Sequence, residues 1–196
     1  MRRAAKRPGA GAKLPHRCFA LLALAPLATS ALAAPTKSPS LCAPGEIVVF
    51  SCGAGARIPS ICASAGLTKD SGTMQYRFGA PGRIELAFPA TPGKPQDNFK
   101  GGWTSYSGGG GAYIRFVNGP FEYTAFSAIG KWGPKGDSLD VAGVAIRKDG
   151  KDFSNFICRN LADDLGELGP DFLQKMGMAS DNPEPDFDLP DAFLKK

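Results

Sequence analysis

The feature that most constrains this chain is a series of short apolar segments paired around turn residues between positions 46 and 158. Four turns punctuate the series, at Gly53-Ala54-Gly55, Ala80-Pro81-Gly82, Asn118-Gly119 and Asp149-Gly150. Asn-Gly and Asp-Gly favour the type I′ hairpin turn, because both central residues need positive φ. Flanking strands are predicted over 46–52, 57–63, 73–79, 83–88, 112–117, 120–127, 142–148 and 151–158. The sequence therefore predicts a mainly β fold, an antiparallel meander of about eight strands in a barrel or sandwich, with a short C-terminal helical segment.

Alternating apolar residues set the register of three hairpins, since a one-residue slip would turn every side chain to the opposite face. The predicted inner-face partners are Met74, Tyr76 and Phe78 with Ile84, Leu86 and Phe88, Ile114 with Tyr123, Phe116 with Phe121, and Ile146 with Phe153. The predicted outer pairs are Arg77 with Glu85, Arg115 with Glu122, and Arg147 with Asp152. Each outer pair contributes about 1 kcal/mol or less, so their recurrence supports the register more than the stability.

Residues 1–33 have the pattern of a secretory signal peptide. Six basic residues lead into an apolar run over 18–28, and Ala31-Leu32-Ala33 forms a small-x-small cleavage site. The apolar run is too short to span a bilayer, so no transmembrane anchor is predicted. Cleavage before Ala34 removes His16, the only histidine of the sequence. This excludes Ser-His-Asp triads, Cys-His pairs and histidine metal sites from the processed chain.

The basic character of the full chain, with 23 Lys+Arg and 18 Asp+Glu, comes from this leader. Without its six cations, 17 basic residues face 18 acidic ones, and no nucleic-acid partner is expected. Residues 34–158 carry 13 basic and 9 acidic groups, whereas residues 159–196 carry 4 and 9. The acidic tail either docks on the basic body or is solvated, and the sequence leaves both alternatives open.

Four cysteines remain after the predicted cleavage: Cys42, Cys52, Cys62 and Cys158. An even number in an exported chain predicts two disulfides. A four-cysteine zinc site is the alternative, but such sites usually contain close C-x-x-C pairs. Four cysteines allow three connectivities, and the sequence does not choose among them. Because Cys158 lies far from the other three, at least one bond ties the end of the domain to its beginning.

The pattern becomes helical after Cys158. Leu161, Leu165 and Leu168 share one face of a short helix that ends at Gly169-Pro170, and Pro170 can open a second helix that stops at Gly177. The prolines and acidic residues of 179–196 predict an extended tail. The predicted organisation is a signal peptide at 1–33, a linker at 34–45, a β domain at 46–158, a helical segment at 159–178 and the acidic tail at 179–196.

Candidate functional residues lie in the connections between hairpins, at 64–72, 89–111 and 128–141. In a meander of hairpins these connections meet at the end opposite the tight turns, and long connections are usually functional or disordered. The candidate binding residues are Lys100, Trp103, Tyr106 and Ser107 in the second connection, and Lys131 and Trp132 in the third. Exposed aromatic residues beside lysines predict a binding surface. The alternative is that these aromatics plug the end of the sheet core.

Catalytic and cofactor motifs are weak in this sequence. The glycine run over 108–111 lacks the Lys-Ser/Thr of a phosphate loop and leads into a strand. Ser105 or Ser107 could join Lys100 or Lys131 in a Ser-Lys dyad, but no spacing motif supports one. Glycoside hydrolysis needs two carboxylates on either side of the sugar, and no pattern in this sequence indicates such a pair. The chain is expected to be non-enzymatic, with no catalytic residue, metal or cofactor.

Several sequence blocks resemble a family of exported bacterial proteins of unknown function. The blocks are GEIVVFSC at 45–52, SICAS at 60–64, YRFG at 76–79, and SYSG through YIRF at 105–116. The resemblance covers about 42–158 and implies a periplasmic or secreted β-rich domain, but no activity. The aromatic residues and lysines of the connections, in contrast, predict binding of an unknown protein or glycan partner of the envelope. The chain is also similar to periplasmic C-type lysozyme inhibitors, small β-barrels whose Ser-Gly-x-x-Tyr loop enters the enzyme cleft. Here a longer glycine stretch separates Ser107-Gly108 from Tyr113, and inhibition of a lysozyme-like hydrolase is the alternative function.

Overall fold

Nine antiparallel strands in two sheets form most of the described part of the chain. The computed structural model describes residues 39–53, 55–159 and 168–178. The strands are Ile47–Ser51 (β1), Ile58–Ala63 (β2), Met74–Ala80 (β3), Arg83–Gly93 (β4), Lys100–Tyr106 (β5), Gly109–Asn118 (β6), Phe121–Gly130 (β7), Leu139–Lys148 (β8) and Lys151–Ile157 (β9). The first four strands form one sheet in sequence order, and the other five form a second. The mainly β prediction is confirmed, and the arrangement is sandwich-like rather than a closed barrel.

Strand β5 is missing from the sequence prediction. The prediction places 89–111 in one long connection, and this is wrong. Strand β4 continues to Gly93, a short helix α1 spans Pro95–Asn98, and β5 pairs with β6 from Lys100 to Tyr106. Glycine is common in both strands of this hairpin, and glycine disfavours strands in sequence-based analysis. The hairpin therefore depends on its backbone hydrogen bonds, which the side-chain pattern does not reveal.

The additional strand reverses the direction of the second half of the chain. The turns at 119–120 and 149–150 lie at one end of the five-stranded sheet, which we call the turn end. The turn at 107–108 and the loop at 131–138 lie at the other, which we call the loop end. The Cys52–Cys158 disulfide brings the segment after β1 to the loop end, because Cys158 follows β9 there. The expectation that all tight turns share one end is therefore wrong.

Two hairpins have the predicted faces but a register shifted by two residues. The observed partners are Tyr76 with Phe88 and Phe78 with Leu86 across β3 and β4, and Ile114 with Ala125 and Phe116 with Tyr123 across β6 and β7. In the β6–β7 hairpin the loop consists of Gly119-Pro120 instead of Asn118-Gly119. Because side chains alternate with a period of two, this shift keeps most of the apolar residues on the core side. Ile84 is the exception, because an irregularity in the ladder pairs it with Gly79 and leaves it 47% exposed.

Two of the three predicted outer ion pairs form. Arg147 Nε lies 3.6 Å from the Asp152 carboxylate, and Arg115 Nε lies 3.8 Å from that of Glu122. The turn between β8 and β9 is also confirmed, since Asp149 and Gly150 have φ of 49° and 75°, as a type I′ turn requires. Arg115 and Glu122 meet diagonally after the register shift, so a diagonal contact replaces the predicted direct one.

Bulges account for the pairings that the sequence does not predict correctly. In β4 a bulge leaves Glu85 out of the ladder, and Arg77 instead binds Glu46 with an N···O distance of 2.6 Å. In β9 an irregularity pairs Ile146 with Ser154, and Phe153 is 61% exposed. A β-bulge places two residues opposite one, so every prediction that assumes a regular ladder beyond it fails.

Two disulfides form, Cys52–Cys158 and Cys42–Cys62. The first joins residues 106 positions apart and connects the ends of the two edge strands β1 and β9. The second joins residues 20 positions apart and fixes the N-terminal segment to β2. The two-disulfide prediction is confirmed, and the bond to Cys158 ties the end of the β domain to its beginning. We call this bond the clasp.

Residues 39–46, which we call the strap, cover the outer face of the four-stranded sheet. The Ser51 hydroxyl donates to the Pro39 carbonyl at 2.8 Å, and the Leu41 N–H donates to Ser60 Oγ at 3.0 Å. Arg77 donates to the Leu41 carbonyl at 3.1 Å. The described part of the linker predicted at 34–45 is therefore bound to the sheet.

The carboxyl group of Glu46 is held by the strap and by β3 together. Burial raises its pKa, but hydrogen bonds from Arg77 and the Ala43 N–H, with the charge of Arg77, outweigh burial and lower the pKa overall. This ion pair links the strap to the sheet in addition to the Cys42–Cys62 disulfide.

An aromatic cluster fills the space between the sheets near the turn end. Phe116 stacks on Phe88 at 4.6 Å and on Tyr123 at 4.8 Å between ring centroids, and Tyr76 lies 4.8 Å from the same ring. Burial, and secondarily the nearby Tyr123, raises the pKa of Tyr76 well above its usual range.

Helix α2, Pro170–Lys175, packs into the core beside β5. It begins at Pro170 and is followed by Gly177 with positive φ, as predicted. Leu173 is fully buried, and a Cβ on Gly101 would lie 2.5 Å from its Cδ2. The predicted signal peptide, the helix through Leu161 and Leu165, and the tail at 179–196 lie outside the described residues.

Candidate binding site at the loop end

Ser107, Lys131 and Trp132 come together at the loop end. Gly108, with φ of 82°, shapes the turn between β5 and β6. A Cβ on this glycine would lie 3.1 Å from Lys131 Cε, so the aliphatic part of Lys131 rests directly on the turn. Ser107 and Lys131 are both exposed. Ser107 and Lys131 are thereby exposed on two neighbouring segments.

The ring of Trp132 is fixed on the outer face of the five-stranded sheet. A Cβ on Gly130 would lie 2.5 Å from the ring, so only a glycine permits this position. The ring packs against a small buried cluster of Tyr113, Phe126, Val141 and Ala145. Trp132 is half-buried, and it directly follows the exposed Lys131 in the chain.

Lys100, Trp103 and Tyr106 are distributed along β5 and do not form one group. Lys100 lies at the start of the strand, at the turn end, about 20 Å from the loop end at 3.3 Å per residue. Trp103 pairs with Ala112 and packs against the core between the sheets. For this residue the structure therefore agrees with the alternative that the aromatic side chains fill the sheet core. The backbone of Tyr106 pairs with Gly109 beside the turn. The prediction that both tryptophans lie in loops at one end is wrong, because Trp103 lies within a strand.

A cleft that the sequence does not predict opens on the inner face of the loop end. It has a volume of about 390 Å³, and we call it the inner cleft. Strands β5 to β8 form one side, and residues 168–170 form the other. Its lining includes Ser127 and Asp140, which lie in the predicted connection and the strands beside it. The only sequence feature that relates to this cleft is the run of small residues over 108–111. Such a run does not by itself indicate a cleft.

A second cleft, of about 520 Å³, lies at the turn end beside α1. Lys100 and Arg115 line it together with Asp97 and Glu122. Arg115 already contacts Glu122 and donates to Thr124 Oγ1 at 3.1 Å. The lining thus carries charges of both signs, and this arrangement favours neither an anionic nor a cationic ligand.

One group of potential metal ligands exists among the described residues, formed by Cys42, Glu46 and Cys62 within 4.8 Å of one another. Both sulfurs are bonded to each other, and the carboxylate binds Arg77. A thiolate is the metal-binding form of cysteine, so this group does not form a metal site in the disulfide state. Glycines 109–111 belong to β6 and not to a phosphate loop.

Comparison with protein families, with curated proteins and with solved structures finds no match to this chain. Within the described ranges, the structure contains no helix long and apolar enough to cross a membrane. Two disulfides are typical of proteins that fold in an oxidising compartment, which indicates a non-cytoplasmic protein.

Proposed function

We propose that this protein is a non-enzymatic binding domain that recognises a protein or glycan partner of the cell envelope through its loop end. The observation that supports this most directly is the contact between Gly108 and Lys131. It joins the 107–108 turn and the 131–138 loop into one surface, which presents Ser107, Lys131 and part of Trp132. We call these three residues the partner surface.

The chemistry of the partner surface suits recognition more than it suits catalysis. The Trp132 ring is already fixed against the sheet, so little side-chain entropy is lost when a partner packs on it. Tryptophan is enriched among the residues that dominate binding energy at interfaces. The Ser107 hydroxyl and the Lys131 ammonium can donate hydrogen bonds to carbonyl or hydroxyl groups of a protein or a glycan.

Capture experiments with matched variants test this proposal. Immobilised wild-type protein is compared with Lys131→Glu at the loop end and with Lys148→Glu at the turn end, using solubilised envelope proteins and purified cell-wall glycan separately. We expect one partner to be retained by the wild type and by Lys148→Glu, and to be lost with Lys131→Glu. Equal retention by both variants, or no retained partner in either fraction, would contradict the proposal.

We further propose that residues 1–33 direct export and that the processed protein is periplasmic or secreted. The leader pattern and the two disulfides support this. The intact mass of the exported protein should correspond to residues 34–196 less four hydrogens, two for each bond. Retention of the leader or four free thiols would contradict it.

Inhibition of a lysozyme-like hydrolase is the second candidate function. The exposed Ser107 at the tip of the β5–β6 hairpin favours it, because a projecting hairpin can enter an enzyme cleft. Tyr113 is only 3% exposed and lies within β6, so it is not part of that tip. Muramidase activity should fall at micromolar concentrations of purified protein if this function is correct, and an unchanged rate removes it.

A further inference from the structure

The inner face of the five-stranded sheet changes in side-chain size along its length. Near the turn end it carries the stacked rings of Phe116 and Tyr123. Near the loop end, the same face of β6 and β7 carries Gly110, Ala112 and Ser127, and the larger Ile129, 47% exposed, lies at the edge of the cleft. The small side chains leave a space that the large ones fill elsewhere, and this space is the inner cleft. Its volume of about 390 Å³ lies within the range of small-molecule sites.

The inner cleft has an apolar floor and a polar rim. The floor lies between Ala112 on the sheet side and Leu168 on the opposite side, which are 4% and 8% exposed. Ser105 and Asp140 at the rim are both exposed. They lie on β5 and β8, three strand spacings apart, so the cleft is about 14 Å wide across the sheet. A ligand that matches this pattern has an elongated apolar body and one polar end.

The charge at the rim of the inner cleft indicates whether the polar end of the ligand is cationic or anionic. Asp140 is the only charged residue among those described as lining the cleft. A carboxylate at the mouth favours a cation and disfavours an anion by charge complementarity. The Ser105 and Ser127 hydroxyls can hydrogen-bond either kind of polar group and add no charge.

We propose that the inner cleft binds one molecule of a single-chain cationic amphiphile. The alkyl chain lies between Ala112 and Leu168, and the ammonium group lies at Asp140. This goes beyond the proposed partner surface, whose three residues lie outside the lining of the cleft. Burial of the alkyl chain supplies most of the affinity, because apolar area removed from water contributes about 25 cal/mol per Å². The carboxylate supplies the preference for a cationic head.

Calorimetric titration with decyltrimethylammonium below its micellar concentration tests the proposal. We expect saturable binding of one molecule per chain, and weaker binding of decyl sulfate. Asp140→Asn should weaken binding of the cation by about two- to fivefold, the range for an exposed ion pair, and should remove the preference over the anion. Ser127→Leu should fill the cleft and weaken binding of both probes at least tenfold.

Matched controls make each outcome decisive. Ser154→Leu adds the same side chain on β9 away from the cleft and should leave binding unchanged. If Ser127→Leu does not fold, the smaller Ser127→Val with its strand-favouring side chain replaces it. Equal or tighter binding of decyl sulfate, wild-type affinity in the filled variant, or no saturable binding would overturn the proposal. A concentration-dependent dimer that Ser127→Leu disrupts would identify a second copy as the occupant and would also overturn it.

Discussion

The two ends of the five-stranded sheet are closed by different physical means. At the turn end, two-residue turns join the strands, and Phe116 stacks between Phe88 and Tyr123 within 5 Å of each ring centroid. At the loop end, an eight-residue segment at 131–138 joins β7 to β8, and the clasp fixes the end of β9. Gly110, Ala112 and Ser127 on the inner face there are small, and the inner cleft remains open.

In the function proposed above, this difference separates stability from recognition within one sheet. Close aromatic packing at the turn end stabilises the fold through burial and ring contacts. The second cleft lies beside this packing, and its charged lining carries both signs. A covalent bond stabilises without filling space, because it acts mainly by restricting the unfolded chain. The clasp therefore allows the loop end to keep a cleft and an exposed partner surface. Binding residues commonly lie on loops that a rigid scaffold positions.

Removal of the clasp is the strongest way to test the comparison. Cys52→Ala with Cys158→Ala should lower the free energy of unfolding by about 4–5 kcal/mol, the value for a loop of about 100 residues. The Cys42–Cys62 disulfide closes a loop of about 20 residues. Its removal by Cys42→Ala with Cys62→Ala should therefore lower the free energy of unfolding by only about 3 kcal/mol. Urea denaturation under oxidising conditions measures both. A larger loss from the strap disulfide than from the clasp would contradict this account of the loop end.

Truncation of the aromatic cluster tests the turn end. Phe116→Ala should destabilise the protein by about 3–5 kcal/mol, because the ring is buried and the surrounding rings cannot collapse fully into the cavity. Ala112→Gly, on the same face of β6 at the loop end, should cost only about 0.5–1 kcal/mol. Thermal or urea unfolding of the two variants provides the measurement. Similar losses at both positions would mean that the packing does not differ between the ends.

High pH should destabilise the protein through the buried tyrosines of the turn end. Burial raises the pKa of Tyr76, and burial also raises that of Tyr123. A raised folded-state pKa contributes stability that is complete below the unfolded pKa of about 10 and is lost as pH rises above it. The free energy of unfolding should therefore fall above pH 10. Tyr76→Phe should reduce this fall, with the remainder due to Tyr123, and an unchanged pH dependence would exclude Tyr76 as its source.

The sequence predicts the parts of the fold that local chemistry specifies. Asp149-Gly150 specifies its turn because both residues adopt positive φ, and the Arg147–Asp152 pair follows from that turn. Pro170 and Gly177 bound helix α2 for equally local reasons. The apolar faces survive a two-residue register shift, because alternation is insensitive to it.

The sequence does not predict features that depend on backbone pairing or on distant contacts. Strand β5 contains glycines at 101 and 102, and its pairing with β6 has no side-chain signature. A prediction without β5 assigns the turns and the connections of the second half of the chain to the wrong ends of the sheet. It also places Trp103 in a loop. The inner cleft cannot be predicted either, because it depends on residues 168–170 folding back over β5 to β8. In contrast, the contact between Gly108 and Lys131 joins two connections that the sequence predicts to lie at one end of the sheet.

Site-specific photocrosslinking in cells tests most directly whether the loop end is the recognition end. A photoreactive amino acid is placed at Ser107 at the loop end, and in a matched variant at Asn118 at the turn end. Both positions flank hairpin turns of the same sheet. The account predicts a discrete crosslinked product from position 107 and none from position 118. A product from position 118 alone, or the same product from both positions, would contradict the division of the sheet into a structural end and a recognition end.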